Sequence, residues 1–195
     1  MRLDVFLTEK GLCESRQRAK LLIESGLVMQ NGRIAAKPAA TVAETDRIEI
    51  VGEALPYVSR GALKLEKAFE AFSLDAAGQT AIDVGASTGG FTEYLLLRGA
   101  VKVYAVDAGS GQLAAKLRAD ARVISMEKYN ARLLSPKDFP VPPTLAVMDV
   151  SFISQTLILP ALYSVLAERA LLVSLVKPQF EAGREAIGKG GYAHF

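Results

Sequence analysis

The sequence predicts an α/β protein: a small α+β module followed by a larger domain built on a mainly parallel sheet. Three observations support this prediction. Residues 80–107 have the pattern strand, glycine turn, helix, strand, which is typical of a βαβ unit. Two later apolar runs, at 144–148 and 171–176, each lead into a charged residue, as buried parallel strands often do at a ligand-binding edge. Residues 1–52 instead combine short amphipathic helices with a hairpin pattern.

The first module, residues 1–52, is predicted to contain two helices, a hairpin and a final strand. Leu3, Phe6 and Leu7 at helical spacing indicate a first helix that Gly11 can end, and Ser15 is placed to cap a second one. Asn31-Gly32 stands between two short apolar runs, which is the strongest local signal for a β-hairpin. Residues 47–50 alternate in polarity and predict the last strand.

Basic side chains are a prominent polar feature of this module, at Arg2, Arg16, Arg18 and Lys20. Arg16 and Lys20 are four residues apart, so they lie on the same side of the predicted second helix. Such side chains can contact nucleic-acid phosphates. From charge alone a solvated helix face is the simpler interpretation, and the net charge of +2 is too small to argue for nucleic-acid binding.

Residues 53–58 are predicted to be a linker, because a proline there disfavours a helix, and a second domain is expected over residues 59–195. Ser59 is placed to cap a helix beginning near Gly61, whose apolar stripe should pack on the sheet. Lys64 lies at the border of that stripe. A lysine that extends past its apolar stem into water is the simple interpretation of this residue.

The loop after the first predicted strand is rich in glycine. It reads Asp83-x-Gly85-x-Ser87-x-Gly89-Gly90 and leads into a helix whose free N–H groups point at the loop. A dinucleotide fingerprint needs glycine where Ser87 stands, so the pattern is closer to the loop of S-adenosylmethionine (SAM) enzymes. The amino-acid moiety of SAM is then expected along the loop, near Asp83. An ordinary glycine-rich turn is the alternative interpretation.

Polar side chains follow the next two predicted strands. Asp107 ends the strand at 101–106, about twenty residues past the glycine loop, where a carboxylate can accept hydrogen bonds from a ribose diol. Glu127 and Asn130 follow the strand at 122–126. We expect one of these two to approach the adenine, although polar residues after a strand are commonly no more than loop.

Asp149 and Lys177 follow the last two predicted strands. In a parallel sheet they should lie at the same edge as the glycine loop, where a carboxylate and an amine make a candidate reaction centre. A free lysine, with a pKa of roughly 10.4, is a poor base. Positive charge from Lys64 and from a sulfonium would disfavour the ammonium form. A purely structural ion pair between Asp149 and Lys177 is the alternative.

Composition limits the other classes of function. Cys13 is the single cysteine and His194 the single histidine, so the sequence predicts neither an internal disulfide nor a metal site. The N-terminal residues have no apolar signal-peptide core, which predicts a cytoplasmic location. Residues 150–167 carry no charge and are long enough for a membrane span, but their polar residues and Pro160 favour a buried loop and helix.

Matching segments of the first module read Arg2-Leu3-Asp4, then Ser15-Arg16-x-x-Ala19-Lys20-x-x-Ile23, then Gly26-x-Val28-x-x-Asn31-Gly32. With these segments, residues 1–50 resemble the S4 RNA-binding domain. The resemblance implies that the helix pair and the hairpin bind structured RNA, so the phosphate-binding interpretation of the basic residues becomes the preferred one.

Five further segments occur in order, VSRGALKLEKA, DVGASTGGFTEYLLLRGA, VDAGSGQLAAKLR, MDVSFIS and LVKPQFEAGRE. They resemble the TlyA family of rRNA 2′-O-methyltransferases, whose catalytic domain is of the Rossmann-like FtsJ type. The resemblance implies SAM as cofactor and ribosomal RNA or a ribosomal subunit as partner. It also implies a Lys-Asp-Lys-Glu active site, in which the first three members fall on Lys64, Asp149 and Lys177, with Lys177 as general base.

The sequence departs from the family at the fourth member of that active site. No glutamate up to residue 195 matches it, because Glu181 and Glu185 belong to the preceding motif. We therefore expect a truncated sheet of five strands rather than seven. An uncovered strand at 171–176 is liable to pair with another chain, which predicts a homodimer or aggregation through that edge.

Three alternatives to an active methyltransferase remain at this point. The chain could be an RNA-binding protein that holds SAM without catalysis. It could be a haemolysin, a label that members of this family carry, although the sequence has no amphipathic pore segment. It could be a nicotinamide-dependent oxidoreductase, for which the glycine loop is the only argument.

Overall fold

The computed structural model describes residues 1–51 and 57–182, and it has two compact units, Met1–Ser59 and Arg60–Phe195. The predicted linker lies largely outside the described residues, as do Glu185, His194 and the glycines after Ala182. Among the described residues, none of the helices is both long enough and apolar enough to cross a membrane.

The first unit packs two helices beside a three-stranded antiparallel sheet. Its elements are α1 (Leu3–Glu9), α2 (Arg16–Glu24), β1 (Val28–Gln30), β2 (Arg33–Ile34) and β3 (Ile48–Ile50). The strand order is β2-β1-β3. The Ser15 side chain accepts a hydrogen bond from the Arg18 backbone N–H at 3.2 Å, so the predicted cap of α2 is present. Leu3, Leu7 and Ile23 are fully or almost fully buried between the helices and the sheet.

The hairpin between β1 and β2 turns at Asn31-Gly32, where both residues have positive φ (53° and 76°). This is the conformation of the tight turn that the sequence predicts, and it suits asparagine and glycine because neither pays a large steric penalty there. The Asp46 carboxylate accepts hydrogen bonds from Gln30 and Asn31 at 2.7 Å each. The hairpin is therefore braced from the segment that precedes β3.

The second unit is a three-layer α/β domain. Its elements are α3 (Ala62–Phe72), β4 (Thr80–Val84), α4 (Gly90–Leu97), β5 (Lys102–Asp107), α5 (Ala115–Arg118), β6 (Val123–Glu127), β7 (Leu145–Met148), α6 (Leu159–Val165), β8 (Leu171–Ser174) and α7 (Pro178–Glu181). Short 3₁₀ turns lie at Ala131–Leu133, Pro136–Asp138 and Gln155–Leu157. The α/β fold class and the parallel five-stranded sheet predicted from the sequence are confirmed.

All strand pairs of the larger sheet are parallel, in the order β6-β5-β4-β7-β8. The chain starts this sheet in the middle, at β4, adds β5 and β6 on one side, and then returns to add β7 and β8 on the other. The direction of winding therefore reverses beside β4. In open parallel sheets a crevice forms at the carboxyl ends of the strands where this reversal occurs.

Buried apolar side chains fix the sheet between its helices. Every residue of β4 and β7 is buried, as expected for central parallel strands. Seven residues of α4 are buried as well, and Tyr94 on this helix makes an edge-to-face contact with Phe69 of α3, with ring centroids 5.2 Å apart. This packing holds the start of α4, and with it the glycine loop, against the end of β4.

Two helices are shorter than the sequence pattern predicts. The helix expected over 112–119 is only α5 (Ala115–Arg118), because the backbone N–H groups of Gln112 and Leu113 bond to the Glu127 carboxylate instead. The helix expected from about residue 153 starts with a 3₁₀ turn and becomes α-helical at Leu159, with a proline in its first turn. The predicted cap of α3 is also wrong, since the cap residue is Gly61 rather than Ser59.

Candidate active site

The glycine loop connects β4 to α4 through three residues with positive φ. Gly85 has φ +87°, and a Cβ there would lie 2.7 Å from the backbone oxygen of Asp149. Gly89 has φ +96°, and a Cβ would lie 2.2 Å from the Leu117 side chain. Ser87 between them is left-handed as well, at φ +49°. Glycine is therefore needed at 85 and 89 both for the turn and because neighbouring elements approach closely.

Asp107 ties this loop to the end of β5. One carboxylate oxygen accepts the Ser87 backbone N–H at 2.8 Å, and the other accepts the Gly109 N–H at 2.7 Å. The Gln112 side chain packs over Gly109 and accepts a hydrogen bond from the Ser87 hydroxyl at 3.3 Å. The carboxylate predicted to bind a ribose is thus held in one orientation by the loops on both sides of it.

A cavity of about 410 Å³ opens at this edge of the sheet, between the ends of β5, β4 and β7. Its size is in the usual range for a small-molecule site, about 300–1,000 Å³. Its wall includes residues of three kinds: apolar (Val106, Val150, Ile153, Ile158), loop (Gly85, Ser87, Gln112, Asn130) and acidic (Asp107, Asp149). Among the described residues, no lysine or arginine lines it.

Asp83 lies beneath the loop rather than on the cavity wall. Its side chain is completely buried, and one oxygen accepts a hydrogen bond from the Thr92 hydroxyl of α4 at 2.7 Å. No hydrogen bond reaches its other oxygen from the residues that the structure describes. Burial raises the pKa of this carboxyl to about 7, against the opposing effect of Thr92. Direct contact between Asp83 and a cofactor therefore stays a prediction.

The two residues expected near an adenine have different positions. Asn130 lies on the cavity wall, and its side-chain oxygen caps the following 3₁₀ turn. Glu127 does not line the cavity, because its carboxylate bonds to the backbone N–H groups of Gln112 and Leu113 and to Arg118. These hydrogen bonds lower the pKa of the Glu127 carboxyl. Asn130 is thus a wall residue and Glu127 braces the loop, and a contact of either residue with adenine stays a prediction.

Asp149 lies between two lysines from other parts of the domain. Lys64 of α3 reaches one carboxylate oxygen at 2.9 Å, and Lys177, from the segment after β8, reaches the other at 2.6 Å. Burial alone would raise the pKa of the Asp149 carboxyl, but the hydrogen bonds and charges of Lys177 and Lys64 outweigh it and lower the pKa. The three residues predicted to act together are therefore in contact.

Two residues beside this cluster were not predicted from the sequence. The Ser151 hydroxyl accepts a hydrogen bond from Lys177 at 2.6 Å. Phe152 has φ +65°, a strained conformation for a bulky residue, and its side chain is 91% exposed on the rim of the cavity. Its ring packs against Phe180 with centroids 5.3 Å apart. A single sequence gives no signal for the hydrogen bond between Ser151 and Lys177, and none for the positive φ of Phe152.

The basic residues of the first unit have structural contacts. Arg2 and Arg16 bond to the buried Asp4 carboxylate at 2.9 and 3.3 Å, while both guanidinium side chains remain about half exposed. Arg18 donates to the backbone oxygen of Tyr57 at 3.1 Å. Lys20 is exposed. The exposed parts of these residues remain available to phosphates, so their role in RNA binding stays a prediction.

Comparison with known proteins identifies both units. Residues 57–194 match the model of the FtsJ-like methyltransferase family, and residues 1–48 match the S4 domain. A Mycobacterium tuberculosis protein named 16S/23S rRNA (cytidine-2′-O)-methyltransferase TlyA is 48% identical over 194 residues, which cover 99% of this chain and 72% of the relative. Hemolysin A of Brachyspira hyodysenteriae is 45% identical, covering 98% of this chain and 80% of the relative.

A solved structure gives the same result. The solved structure titled "Putative hemolysin from Streptococcus thermophilus" is 49% identical, with a TM-score of 0.75, and the match covers all of this chain and 72% of that chain. The match to the family model extends over more than half of the chain, and the relatives match along nearly all of it. The chain therefore belongs to the FtsJ-like methyltransferase family and carries an S4 domain at its N-terminal end.

Proposed function

We propose that this protein transfers a methyl group from SAM to a ribose 2′-hydroxyl of ribosomal RNA. The observation that carries the proposal is the contact of Asp149 with both Lys64 and Lys177 at the edge of a cofactor-sized cavity. The name of the Mycobacterium tuberculosis relative, which specifies cytidine 2′-O methylation in 16S and 23S rRNA, supports the same substrate.

The cavity wall fits SAM better than a dinucleotide. Two carboxylates, Asp107 and Asp149, line it, and no basic side chain does so within the described ranges. Lys64 and Lys177 already balance the charge of Asp149, so Asp107 is the carboxylate that attracts the sulfonium and ammonium groups of SAM and would repel the diphosphate of a nicotinamide cofactor. Asp107 would bind the ribose, while the loop at Gly85 and Ser87, with Asn130 opposite, would enclose the rest. This charge favours SAM over the nicotinamide cofactor of the oxidoreductase alternative.

Lys177 is proposed as the general base for the 2′-hydroxyl. When bound, SAM supplies an electrophilic methyl group. Lys177 would accept the hydroxyl proton as the oxygen attacks, because its amine lies at the carboxyl edge of the sheet, 2.6 Å from Asp149. Asp149 orients that amine through one oxygen and holds Lys64 through the other. Lys64 places a second positive charge near the reacting oxygen, where negative charge develops.

Phe152 is proposed to contact the base of the target nucleotide. An aromatic ring that is 91% exposed gains little from the fold, and its backbone strain indicates that the surrounding structure maintains it for another purpose. Bases that are turned out of a helix stack on aromatic side chains. A position on the cavity rim beside Ser151 suits this role.

The first unit is proposed to bind the same RNA through Arg2, Arg16, Arg18 and Lys20. The match of this unit to the S4 domain supports the proposal, as does the half-exposed state of the two arginines on Asp4. Contacts of this kind are electrostatic, so affinity for RNA should fall steeply as salt rises. A ribosomal subunit in the cytoplasm would then be the working partner.

Pairing of two chains through β8 is a further part of the proposal. Within the described residues, β8 pairs with β7 and with no other strand, and Leu171 is 45% exposed at its start. An open strand edge can accept a strand from a second copy. Light scattering at increasing protein concentration tests this point, and a constant monomer mass would exclude the dimer.

The decisive test combines calorimetry with SAM and methyl incorporation into purified ribosomal subunits. We expect SAM to bind and 2′-O-methylated nucleosides to appear in the RNA. SAM binding without methyl transfer would favour the non-catalytic RNA-binding alternative. Dye release from liposomes at micromolar protein checks the haemolysin label that some relatives carry. Binding of a nicotinamide cofactor in preference to SAM would contradict the proposal outright.

A further inference from the structure

The amine of Lys177 makes two contacts at the same short distance, an ion pair with Asp149 and a hydrogen bond to Ser151. Asp149 Oδ1 lies 2.6 Å from Lys177 Nζ, and Ser151 Oγ also lies 2.6 Å from it. Both contacting oxygens belong to residues of the segment that follows β7, so their spacing is set by one short stretch of backbone. Ser151 also lies on the cavity wall, where the reacting groups are expected.

The backbone that carries Lys177 is anchored independently. The Leu175 N–H bonds to Met148 O at 2.9 Å, which continues the pairing of β8 with β7. The buried Gln155 side chain donates to Leu175 O at 2.7 Å and accepts from the Ser174 hydroxyl at 2.6 Å. Glu181 on α7 in turn accepts from the Gln155 N–H at 2.9 Å. With its backbone held in this way, the position of the Lys177 amine depends on its own side chain and on the contacts that the amine makes.

A neutral amine has two N–H bonds and one lone pair in roughly tetrahedral directions. We propose that Ser151 is a positioning residue: it accepts one N–H bond of the neutral Lys177 amine, beside the Asp149 carboxylate, and thereby aims the lone pair of the amine at the substrate hydroxyl. With Asp149 alone, the amine could rotate about its last carbon–nitrogen bond and point the lone pair away. This inference rests on the function proposed above and adds a residue to it.

The proton balance of the step is simple. The ribose O–H bond breaks and its proton forms a third N–H bond on Lys177, while the oxygen forms the new bond to the methyl carbon and the carbon–sulfur electron pair stays on sulfur. The resulting ammonium remains paired with the Asp149 carboxylate, donates to Ser151 and directs the newly gained proton at the product. Ser151 therefore accepts a hydrogen bond before and after the transfer and never loses its own proton.

The test compares Ser151→Ala, Ser151→Thr and a matched control in the 195-residue protein. The control is Ser164→Ala, whose hydroxyl bonds to Ala161 O within α6, away from this cluster. The assay is methyl incorporation into ribosomal subunits with SAM, read as kcat and KM, with calorimetric Kd for SAM alongside. Thermal unfolding confirms that each variant is folded.

We expect Ser151→Ala to lower kcat roughly 10- to 100-fold, since small errors of alignment at a reacting atom cost this much. The SAM Kd and the KM for subunits should stay within about threefold, because Ser151 acts on the aim of the base and not on binding. Ser151→Thr keeps the hydroxyl and should recover most of the rate. Ser164→Ala should match the parent protein.

The inference is overturned if Ser151→Ala keeps its kcat, if the loss lies only in KM or SAM affinity, or if Ser151→Thr is no better than Ser151→Ala. These outcomes leave the proposed function intact as long as the parent protein methylates RNA. A parent protein that binds SAM and subunits but forms no 2′-O-methyl product would refute the proposed function and, with it, the role of Ser151.

Discussion

Two carboxylates in this molecule have the same immediate partners in number and charge, yet they suit different purposes. Asp4 in the first unit is bound by Arg2 and Arg16, and Asp149 in the second by Lys64 and Lys177. Asp4 is completely buried, whereas the Asp149 side chain is 16% exposed at the edge of a cavity. The first arrangement suits a structural ion-pair cluster that stabilises the fold, and the second suits a reaction centre.

The difference lies mainly in the cation. A guanidinium stays protonated at every physiological pH and forms planar, fork-shaped hydrogen bonds, as Arg2 does with both oxygens of Asp4. The Arg2 hydrogen bonds, with help from Arg16, hold the pKa of the Asp4 carboxyl far below its usual value although the group is buried. A lysine amine can lose its proton and accept another, so only the Asp149 cluster can move a proton.

The largest expected effect tests this distinction at the reaction centre. Lys177→Ala and Lys177→Arg should each reduce methyl transfer by roughly 10²- to 10⁴-fold, the usual contribution of a general base. The arginine variant keeps the positive charge beside Asp149 but cannot accept a proton. Methyl incorporation into ribosomal subunits measures the loss, and Lys67→Ala, whose amine pairs with Glu70 on the exposed side of α3, is the control. Full activity of Lys177→Arg would show that Lys177 contributes only its positive charge and does not accept the proton.

The next largest expected effect is on stability, at Asp83, whose side chain is bonded to the Thr92 hydroxyl and not to a cation among the described residues. Because burial raises the pKa of Asp83 to about 7, the folded state holds this proton more tightly than the unfolded chain, whose carboxyl has a pKa near 4. The stability that this group contributes is full below about pH 4 and is lost as the pH rises to about 7. Between pH 5 and 8 the parent protein should lose about 2–3 kcal/mol relative to Asp83→Asn. Urea unfolding of both proteins at these pH values measures the difference in unfolding free energy. If the unfolding free energy changed with pH in the same way in both proteins, the prediction would be contradicted.

Neutralising each paired carboxylate distinguishes the structural role of Asp4 from the catalytic role of Asp149. Asp4→Asn should destabilise the first unit by about 2 kcal/mol, since it removes charge-assisted hydrogen bonds to Arg2 and Arg16. Because the pKa of Asp4 is lowered in the folded state, its stabilisation is present above about pH 4 and lost below it, so the two proteins should converge in acid. Asp149→Asn should instead abolish most activity and change stability by less than about 1 kcal/mol. Chemical unfolding measures the stability of both variants, and the methylation assay measures their activity. If Asp4→Asn lost mainly activity and Asp149→Asn mainly stability, the roles assigned to the two carboxylates would be wrong.

The smallest effect concerns the strained residue beside the reaction centre. Phe152→Gly and Phe152→Ala remove the same ring, but only glycine is at ease at φ +65°. The glycine variant should therefore be about 1 kcal/mol more stable than the alanine variant. Both should bind RNA more weakly by a similar factor, roughly 5- to 100-fold for one lost stacking contact. Thermal unfolding and RNA titration are the measurements, and equal stability of the two variants would show that the position is not strained.

The sequence predicts the frame of the second unit well because its signals are local. Buried runs such as those of β4 and β7, and a glycine loop at the switch from strand to helix, follow directly from periodicity and backbone freedom. Parallel strands bring their carboxyl ends to one edge, so the meeting of Asp149 and Lys177 follows from the fold class.

What the sequence did not predict depends on contacts between distant residues. The helix before β6 is short because Glu127 takes the N–H groups of Gln112 and Leu113, a competition that periodicity does not show. The hydrogen bond of Ser151 to Lys177 and the left-handed Phe152 arise from the way one loop meets the next strand end. Likewise, the ion pairs of Arg2 and Arg16 with Asp4 cannot be read from the positions of the basic residues in the sequence.

The most direct measurement is nucleoside analysis of ribosomal RNA after incubation of ribosomal subunits with the protein and isotope-labelled SAM, alongside Lys177→Arg. The prediction is label on a ribose 2′-oxygen with the parent protein and almost none with the variant. Label on a base, or equal labelling by both proteins, would contradict the central claim that Lys177, oriented by Asp149, receives the proton of a ribose hydroxyl.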